Sequence, residues 1–357
     1  MRVDDLTEDE SAAGLPDLAR IVLPRTPDDV RANERLHRVV ARHCLVRFLR
    51  APRRLGDAVP GPAPALALAG ETLDALEVDA ALDLASRPDL TGWIWRSGVA
   101  GADPVVLLAE LESCLTRDAG AAVARVVFTA PQARRVSVPV LTRSGPDRGG
   151  LLFSWAAESE SDERPLDLDA SGARAFAARV QAGADVLADS RPLGLAMASV
   201  DIRAFAALSN RRGDRPLNFS VHGLRGLVLT SERPGFVLAQ PLVHEATHQR
   251  FSGVLDCVAV VRNPRARHYS PFVDAERPLG HLLHGVLSFI SGLHAARCRR
   301  ERTADAREQE RIGRHLTERA AQPLLAENNL TEVAEPTAEG ARLLAGCREA
   351  VECLRRG

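Results

Sequence analysis

Apolar residues recur every three or four positions over most of the chain, which predicts a mainly helical protein. In the segment "DDVRANERLHRVVARHCLVRFLR" one predicted helix face carries Leu36, Val39, Val40 and Cys44. The pattern continues through "DPVVLLAELESCLTR". Residues 1–27 are acidic and interrupted by Pro, and we interpret them as a flexible lead-in, followed by an N-terminal helical region over 28–120.

A strand-rich region is predicted over residues 121–239, where the periodicity shortens. Its apolar runs are short, β-branched or aromatic and bounded by Gly or Pro, as is typical of strands. The predicted strands are "ARVVFTA", "RRVSVPVLT", "GLLFSWA", "LGLAMASVDIRAF" and "LRGLVLTSE".

Helical periodicity returns at residue 240. Pro241 suits the first position of a helix, and a second helix is predicted to open at Pro278 after an irregular segment. These two helices make up the metal-site region, residues 240–300. Further helices are predicted over residues 301–357, with breaks near "NNL" and at "EPTAEG". The predicted fold class is α+β, mainly helical, with a modest central sheet beside the helix of residues 240–256.

Composition narrows the possible partners. The 357 residues carry a net charge of −1 with 45% hydrophobic and 26% charged residues, which does not favour a nucleic-acid or membrane-surface partner. The chain contains no Lys, so all 46 basic residues are Arg. Schiff-base chemistry and a lysine general base are therefore excluded. The enrichment in Arg and Ala resembles that of proteins encoded by GC-rich bacterial genomes.

Location is predicted to be cytoplasmic. The N-terminus lacks the apolar core of a secretory signal, and no run of 18 apolar residues predicts a membrane span. Six cysteines are scattered without a C-x-x-C motif, which is typical of reduced thiols.

The candidate chemistry lies in "QPLVHEATHQRFSGVLD", where His244, Glu245 and His248 form an H-E-x-x-H motif. On a helix the two imidazoles share one face with Phe251 and Leu255. They are either core histidines satisfied by hydrogen bonds or two ligands of a metal.

The third ligand would decide the class of enzyme. A metzincin extension fails, because Phe251 and Val254 stand where Gly and His are required. Glu276 is the nearest carboxylate for a gluzincin-like site. Alternatively, a His of the second helix would complete a three-ligand set.

In the second helix, Arg277, His281 and His284 have the spacing i, i+4, i+7 of one helix face. A three-ligand site leaves room on octahedral iron for a 2-oxo acid and dioxygen. Arg277 would then hold the distal carboxylate of the 2-oxo acid.

The segments "LVHEATHQRFSGVLD", "YSPF" and "ERPLGHLLHGVLSF" resemble the H-E-x-x-H proteins of natural-product gene clusters. Described members of that family are iron- and 2-oxoglutarate-dependent β-hydroxylases of ribosomally made precursor peptides. The resemblance, specific over about residues 240–292, implies that His244, His248 and His284 bind the metal. Two departures bear on substrate choice: His281 replaces a small residue, and Phe272 alone remains of an aromatic pair.

The expected function is an Fe(II)-, 2-oxoglutarate- and O2-dependent oxygenase that hydroxylates the β-carbon of a residue in a ribosomal precursor peptide. Arg277 would bind 2-oxoglutarate, and His281 is a further candidate for cofactor contact. Two alternatives stay open. One is a zinc peptidase with Glu245 as general base, and the other is a non-catalytic peptide-binding maturation protein.

Overall fold

The computed structural model describes residues 26–56, 68–69, 71–72, 77–98, 103–115, 122–130, 135–142, 165–209, 218–221, 223–231 and 235–355. Its main helices are α1 Pro27–Gly56, α2 Val78–Ala85, α3 Pro88–Ser97, α4 Pro104–Leu115, α5 Ala170–Ser190, α6 Pro192–Asp201, α7 Gly235–Cys257, α8 Leu279–Arg302, α9 Ala306–Arg319, α10 Ala321–Val333 and α11 Ala338–Arg355. The strands are β1 Ala124–Phe128, β2 Val136–Leu141, β3 Ala204–Leu208, β4 Asn218–Ser220, β5 Leu227–Ser231, β6 Arg267–Ser270 and β7 Ala275–Pro278.

The main sheet has five strands in the order β1-β2-β3-β5-β4. Strands β2, β3 and β5 run parallel, whereas the outer strands β1 and β4 run antiparallel to their neighbours. Every residue of β3 and β5 is buried, as expected for central strands covered on both faces by helices. The predicted α+β class, mainly helical with a modest sheet, is confirmed.

Side chains of α7 tie it to the sheet. The Gln249 Nε2 atom donates a hydrogen bond to the carbonyl of Leu227 at the start of β5, at 3.0 Å. Its Oε1 accepts the backbone N–H of Gly226 at 2.9 Å. Because both halves of this buried amide have partners, the two hydrogen bonds fix α7 against the start of β5.

Three of the strand predictions are confirmed, since "ARVVFTA", "RRVSVPVLT" and "LRGLVLTSE" contain β1, β2 and β5. The prediction for "LGLAMASVDIRAF" was wrong in its first half, which belongs to α6, while β3 begins only at Ala204. Pro192 begins α6, and the Ala, Leu and Met residues that follow are good helix formers. "GLLFSWA" lies outside the described residues.

Helix α5 was not predicted, although its start signal is present in the sequence. Asp169 caps the helix by accepting the backbone N–H of Gly172 at 2.7 Å. The buried residues of α5 recur at helical spacing, with Ala173, Phe176, Ala177 and Val180 on one face. The region from 121 to 239 is therefore not purely strand-rich.

The two motif helices differ from prediction at one end. Helix α7 begins at Gly235, so the prediction that Pro241 opens the helix was wrong. Pro241 lies in the interior, where it forgoes one backbone hydrogen bond. Helix α8 begins at Leu279 with Pro278 as its capping residue, in agreement with prediction.

Residues 267–278 form a hairpin rather than part of an irregular segment. Strands β6 and β7 pair antiparallel, with Arg267 opposite Pro278 and Ser270 opposite Ala275. Asp274, in the turn, has a φ of 52°, a conformation that Asp adopts more readily than most residues.

The C-terminal helices match prediction in part. The break at "EPTAEG" is confirmed between α10 and α11. The break near "NNL" was wrong, because these residues lie inside α10 and Leu330 is fully buried there. Burial of an apolar residue on α10 outweighs the weak helix propensity of its two Asn residues.

Helix α8 is the one described helix whose length and composition would allow it to cross a membrane. However, 67% of its most apolar window is buried inside the structure. Leu282, Leu283, Val286, Leu287 and Ile290 belong to the apolar core that extends from Val30 to Val351. The apolar composition of α8 thus matches a position at the centre of the core.

Candidate functional site

The packing of α7 against α8 brings three imidazoles together. His244 and His248 are one turn apart on α7, and their Nε2 atoms are 3.2 Å apart. His284 of α8 places its Nδ1 atom 3.3 Å from the Nδ1 atom of His248, and the two rings stack at 26°. The three residues predicted as metal ligands are therefore neighbours, with His248 in the middle.

The fit of a metal ion to these rings can be tested from the distances. Two imidazole nitrogens on one ion, each bonded at about 2.1 Å, stand roughly 3.0–3.4 Å apart. The His244–His248 pair meets this requirement. His284 faces the opposite nitrogen of His248, and among the described residues no three His, Cys, Asp or Glu side chains converge as a ready ligand set. A ring rotation at His248 or His284 is needed to join all three at one ion.

The protonation state of the site favours metal binding. Burial lowers the pKa of His244 to about 4, although a hydrogen bond involving the Ser288 backbone acts in the opposite direction. Burial also lowers the pKa of His248 well below its ordinary value, and proximity to His244 and His284 lowers it further. Both rings are thus neutral near pH 7, which is the form that binds metals.

Glu245 is held by the outermost strand of the sheet. Its side chain is 1% exposed and accepts hydrogen bonds from Asn218 Nδ2 and from Ser220 Oγ, the latter at 2.8 Å. Its Oε1 atom lies 3.9 Å from His244 Nε2. Strand β4 therefore fixes the orientation of this carboxylate beside the histidines, and each carboxylate oxygen already has a donor.

Aromatic side chains surround the imidazoles. Phe289 packs edge-on against His244 at 5.1 Å between ring centroids, and Phe251 packs edge-on against His284 at 4.7 Å. Phe272, from the turn of the β6–β7 hairpin, stacks on Phe289 at 4.3 Å. These apolar rings reduce the access of water to the histidine side chains.

Gly285 makes room for Phe272. A Cβ atom at this position would lie 2.6 Å from Phe272 Cδ2. We expect Gly285→Ala to displace the Phe272 ring from Phe289 and to lower the free energy of unfolding by about 1–3 kcal/mol, the usual cost of overpacking. Urea denaturation measures this difference.

Gly280→Ala is the matched control on the same helix, because its Cβ would meet only the Pro264 carbonyl oxygen, at 3.8 Å. Ala is favoured over Gly in a helix, so this variant should be neutral or more stable. Equal stability changes in the two variants would contradict the role given to Gly285.

Arg277 does not lie on the helix. It belongs to β7, where its Cα pairs with that of His268, and its side chain is exposed. The predicted i, i+4, i+7 helix face with His281 and His284 was therefore wrong, because α8 begins only at Leu279. His281 is in the first turn of α8 and is also exposed.

Glu276, the alternative carboxylate ligand, is directed elsewhere. Its side chain is 71% exposed on β7 and lies 3.9 Å from the guanidinium of Arg267. Tyr269, on the neighbouring strand, donates its hydroxyl hydrogen to Asp274 at 2.9 Å. The hairpin thus contributes Phe272 to the histidine cluster, while Glu276 pairs with an arginine.

Sequence reasoning did not identify Asn218, Ser220 or Phe289 as part of the site. Asn218 and Ser220 belong to a strand of three residues, which is too short to show a period. Phe289 lies five residues after His284, which is about 140° around α8, so helical spacing from His284 does not indicate it. Comparison with known protein families and with curated proteins finds no match for the chain.

Proposed function

We propose that the chain is an Fe(II)- and 2-oxoglutarate-dependent oxygenase that hydroxylates the β-carbon of a residue in a ribosomally synthesised precursor peptide. The observation that carries the proposal is the pair of neutral imidazoles with Nε2 atoms 3.2 Å apart, together with His284 on the adjoining helix. Three neutral nitrogen ligands on one face of an ion leave coordination positions for a chelating co-substrate and for dioxygen.

The environment of Glu245 favours an oxygenase over a zinc peptidase. A peptidase needs this carboxylate as a general base for a metal-bound water. Here both carboxylate oxygens accept hydrogen bonds from Asn218 and Ser220, which suits a residue that orients the site. Iron and 2-oxoglutarate supply oxidation of an unactivated C–H bond by dioxygen, and this chemistry requires no protein base.

The residues of the chain have distinct tasks in this proposal. His244, His248 and His284 would hold the iron, after one ring has rotated. Phe289 packs against His244 with Phe272 stacked behind it, and these rings would limit water, which protects a reactive centre from side reactions. Arg277, exposed two residues before α8, remains the candidate for the distal carboxylate of 2-oxoglutarate, and His281 remains a candidate contact.

The test is anaerobic addition of Fe(II) and 2-oxoglutarate to the purified chain, followed by visible absorption spectroscopy. Bidentate binding of a 2-oxo acid to Fe(II) is expected to produce a weak charge-transfer band. The band should vanish in His284→Ala and persist in His315→Ala, whose histidine lies on α9. Absence of the band in the unaltered chain, together with tightly held zinc, would overturn the proposal.

Glu245→Gln then separates the two enzyme classes, because Gln keeps an acceptor and removes the base. A peptidase should lose nearly all peptide cleavage in this variant. An oxygenase should keep much of its conversion of 2-oxoglutarate to succinate. A maturation protein without catalysis would show neither reaction in any variant, while still binding the peptide.

A further inference from the structure

A cavity lies on the far side of α7 from the histidines. It encloses about 30 Å³ and is bounded by α1, by the end of α6 and by Gln249, Arg250 and Gly253 of α7. These three positions are on the helix face opposite His244 and His248, given 100° per residue. The cavity is therefore separated from the histidine cluster by the width of one helix.

A cleft of about 650 Å³ lies beside the cavity, between α1, α2 and the start of β2. His37, Ala41, Ser86 and Arg203 line both spaces, so the cleft and the cavity are adjacent. Arg203 is thus within reach of a molecule bound in the cleft. The cavity itself has room for only a water molecule or two, so a phosphate-sized group stays in the cleft.

The walls of the cleft are strongly basic. Two carboxylates, Glu34 and Asp83, face five arginines. The arginines are Arg31, Arg35, Arg38, Arg135 and Arg203. Three of them recur on α1 at spacing i, i+4, i+7, which spans roughly 10 Å along the helix at 1.5 Å per residue. Arg31 is already paired with Asp28 at the protein surface, and the other four arginines give the cleft an elongated positive surface.

Two arginines that line the cavity already have partners. Arg250 donates to Asp201 through Nε at 3.1 Å and through a terminal nitrogen at 2.5 Å. Arg225 forms an ion pair with Asp256 and donates to the Ser252 carbonyl at 3.1 Å. Their positive charges are thus balanced by protein carboxylates.

Arg203 differs from both. Its Nε atom is buried and has no hydrogen-bond acceptor among the described residues. Burial lowers its pKa, and the charges of Asp83 and Asp201 oppose that effect without making an ion pair that would satisfy the donor. A buried donor of this kind costs free energy unless a ligand or water accepts its hydrogen bond.

We propose that this cleft binds a small polyanion bearing phosphate groups, with its terminal phosphate on Arg203. Guanidinium groups bind phosphate oxygens through paired hydrogen bonds, and several arginines along one wall suit two or three linked phosphates better than one carboxylate. The site is distinct from the histidine cluster, and its occupation does not require a metal.

The experiment is isothermal titration of the full chain with inorganic pyrophosphate, combined with thermal unfolding. Pyrophosphate at a hundredfold excess over its dissociation constant should raise the melting temperature by about 3 °C. Arg203→Gln should weaken binding about tenfold or more, and Arg203→Lys should weaken it less, because Lys keeps the charge without the paired donors.

Two further variants locate the site. The double variant Arg35→Gln/Arg38→Gln removes exposed charges at the cleft and should weaken binding without lowering the stability of the free chain. Arg314→Gln is the control, because Arg314 is 70% exposed on α9, opposite Glu310. It should bind pyrophosphate as the unaltered chain does.

The proposal is overturned if pyrophosphate does not bind, or if Arg203→Gln binds it as tightly as the unaltered chain. Citrate and an oligo-glutamate peptide serve as comparison anions in the same titration. Tighter binding of either than of pyrophosphate would overturn the assignment to phosphate.

Discussion

Replacing His248 by alanine is expected to abolish tight binding of Fe(II). His248 is the central ring of the cluster, with His244 opposite one of its nitrogens and His284 opposite the other. Loss of a residue that only supports a ligand typically weakens metal binding 10–100-fold, so removing a ligand should weaken it by more than about 100-fold. Anaerobic titration with Fe(II), followed by competition with a chelator, measures this change.

His315→Ala is the matched control for this prediction. His315 is a half-buried histidine of α9, and burial lowers its pKa as it does for His248. Its removal should leave iron affinity unchanged. If His248→Ala bound iron as tightly as the unaltered chain, the three imidazoles would be core histidines, and the oxygenase proposal would fail with them.

Replacing Asp201 by alanine is expected to lower the free energy of unfolding by about 3–5 kcal/mol, the usual cost of removing one partner from a buried ion pair. The side chains of Asp201 and Arg250 are each 3% exposed. Asp201 also accepts a hydrogen bond from Asn33 at 3.1 Å, so the substitution leaves donors on α1 and α7 without their acceptor. Urea unfolding monitored by circular dichroism measures the loss.

Two comparisons make this prediction specific. In an Arg250→Met background, Asp201→Ala should cost clearly less, because no buried guanidinium is left without a partner. Glu339→Ala removes an exposed ion pair with Arg342 and should change stability by less than about 1 kcal/mol. Equal effects of Asp201→Ala in both backgrounds would show that the two residues are not coupled.

The sequence predicted the elements that have a clear period or a clear boundary. Helix α8 was found because apolar residues repeat along it and Pro278 marks its start. Strands β1, β2 and β5 were found because short β-branched runs are bounded by loop-forming residues. An Ala-rich apolar run such as that of α6 can form either a helix or a strand. The tertiary environment then decides which of the two forms, and the local sequence pattern does not show the outcome.

At the candidate site, residue types were easier to predict than contacts. The i, i+4 spacing of His244 and His248 fixes their shared face, so their proximity follows from helix geometry. The hydrogen bonds from Asn218 and Ser220 to Glu245 join segments 25 and 27 residues apart and depend on how β4 packs against α7. The predicted position of Arg277 was wrong, because helical spacing was extended from α8 to a residue that belongs to the β6–β7 hairpin.

Helix α7 has no exposed position between Pro241 and Val254. It packs against α1, α5, α6, α8 and β4, so substitutions in this stretch alter packed contacts. In evolution this stretch should accept few changes, whereas exposed parts of α9 are free to diverge. Short motifs on such a helix would then remain recognisable in distant relatives whose sequences are no longer similar over the rest of the chain.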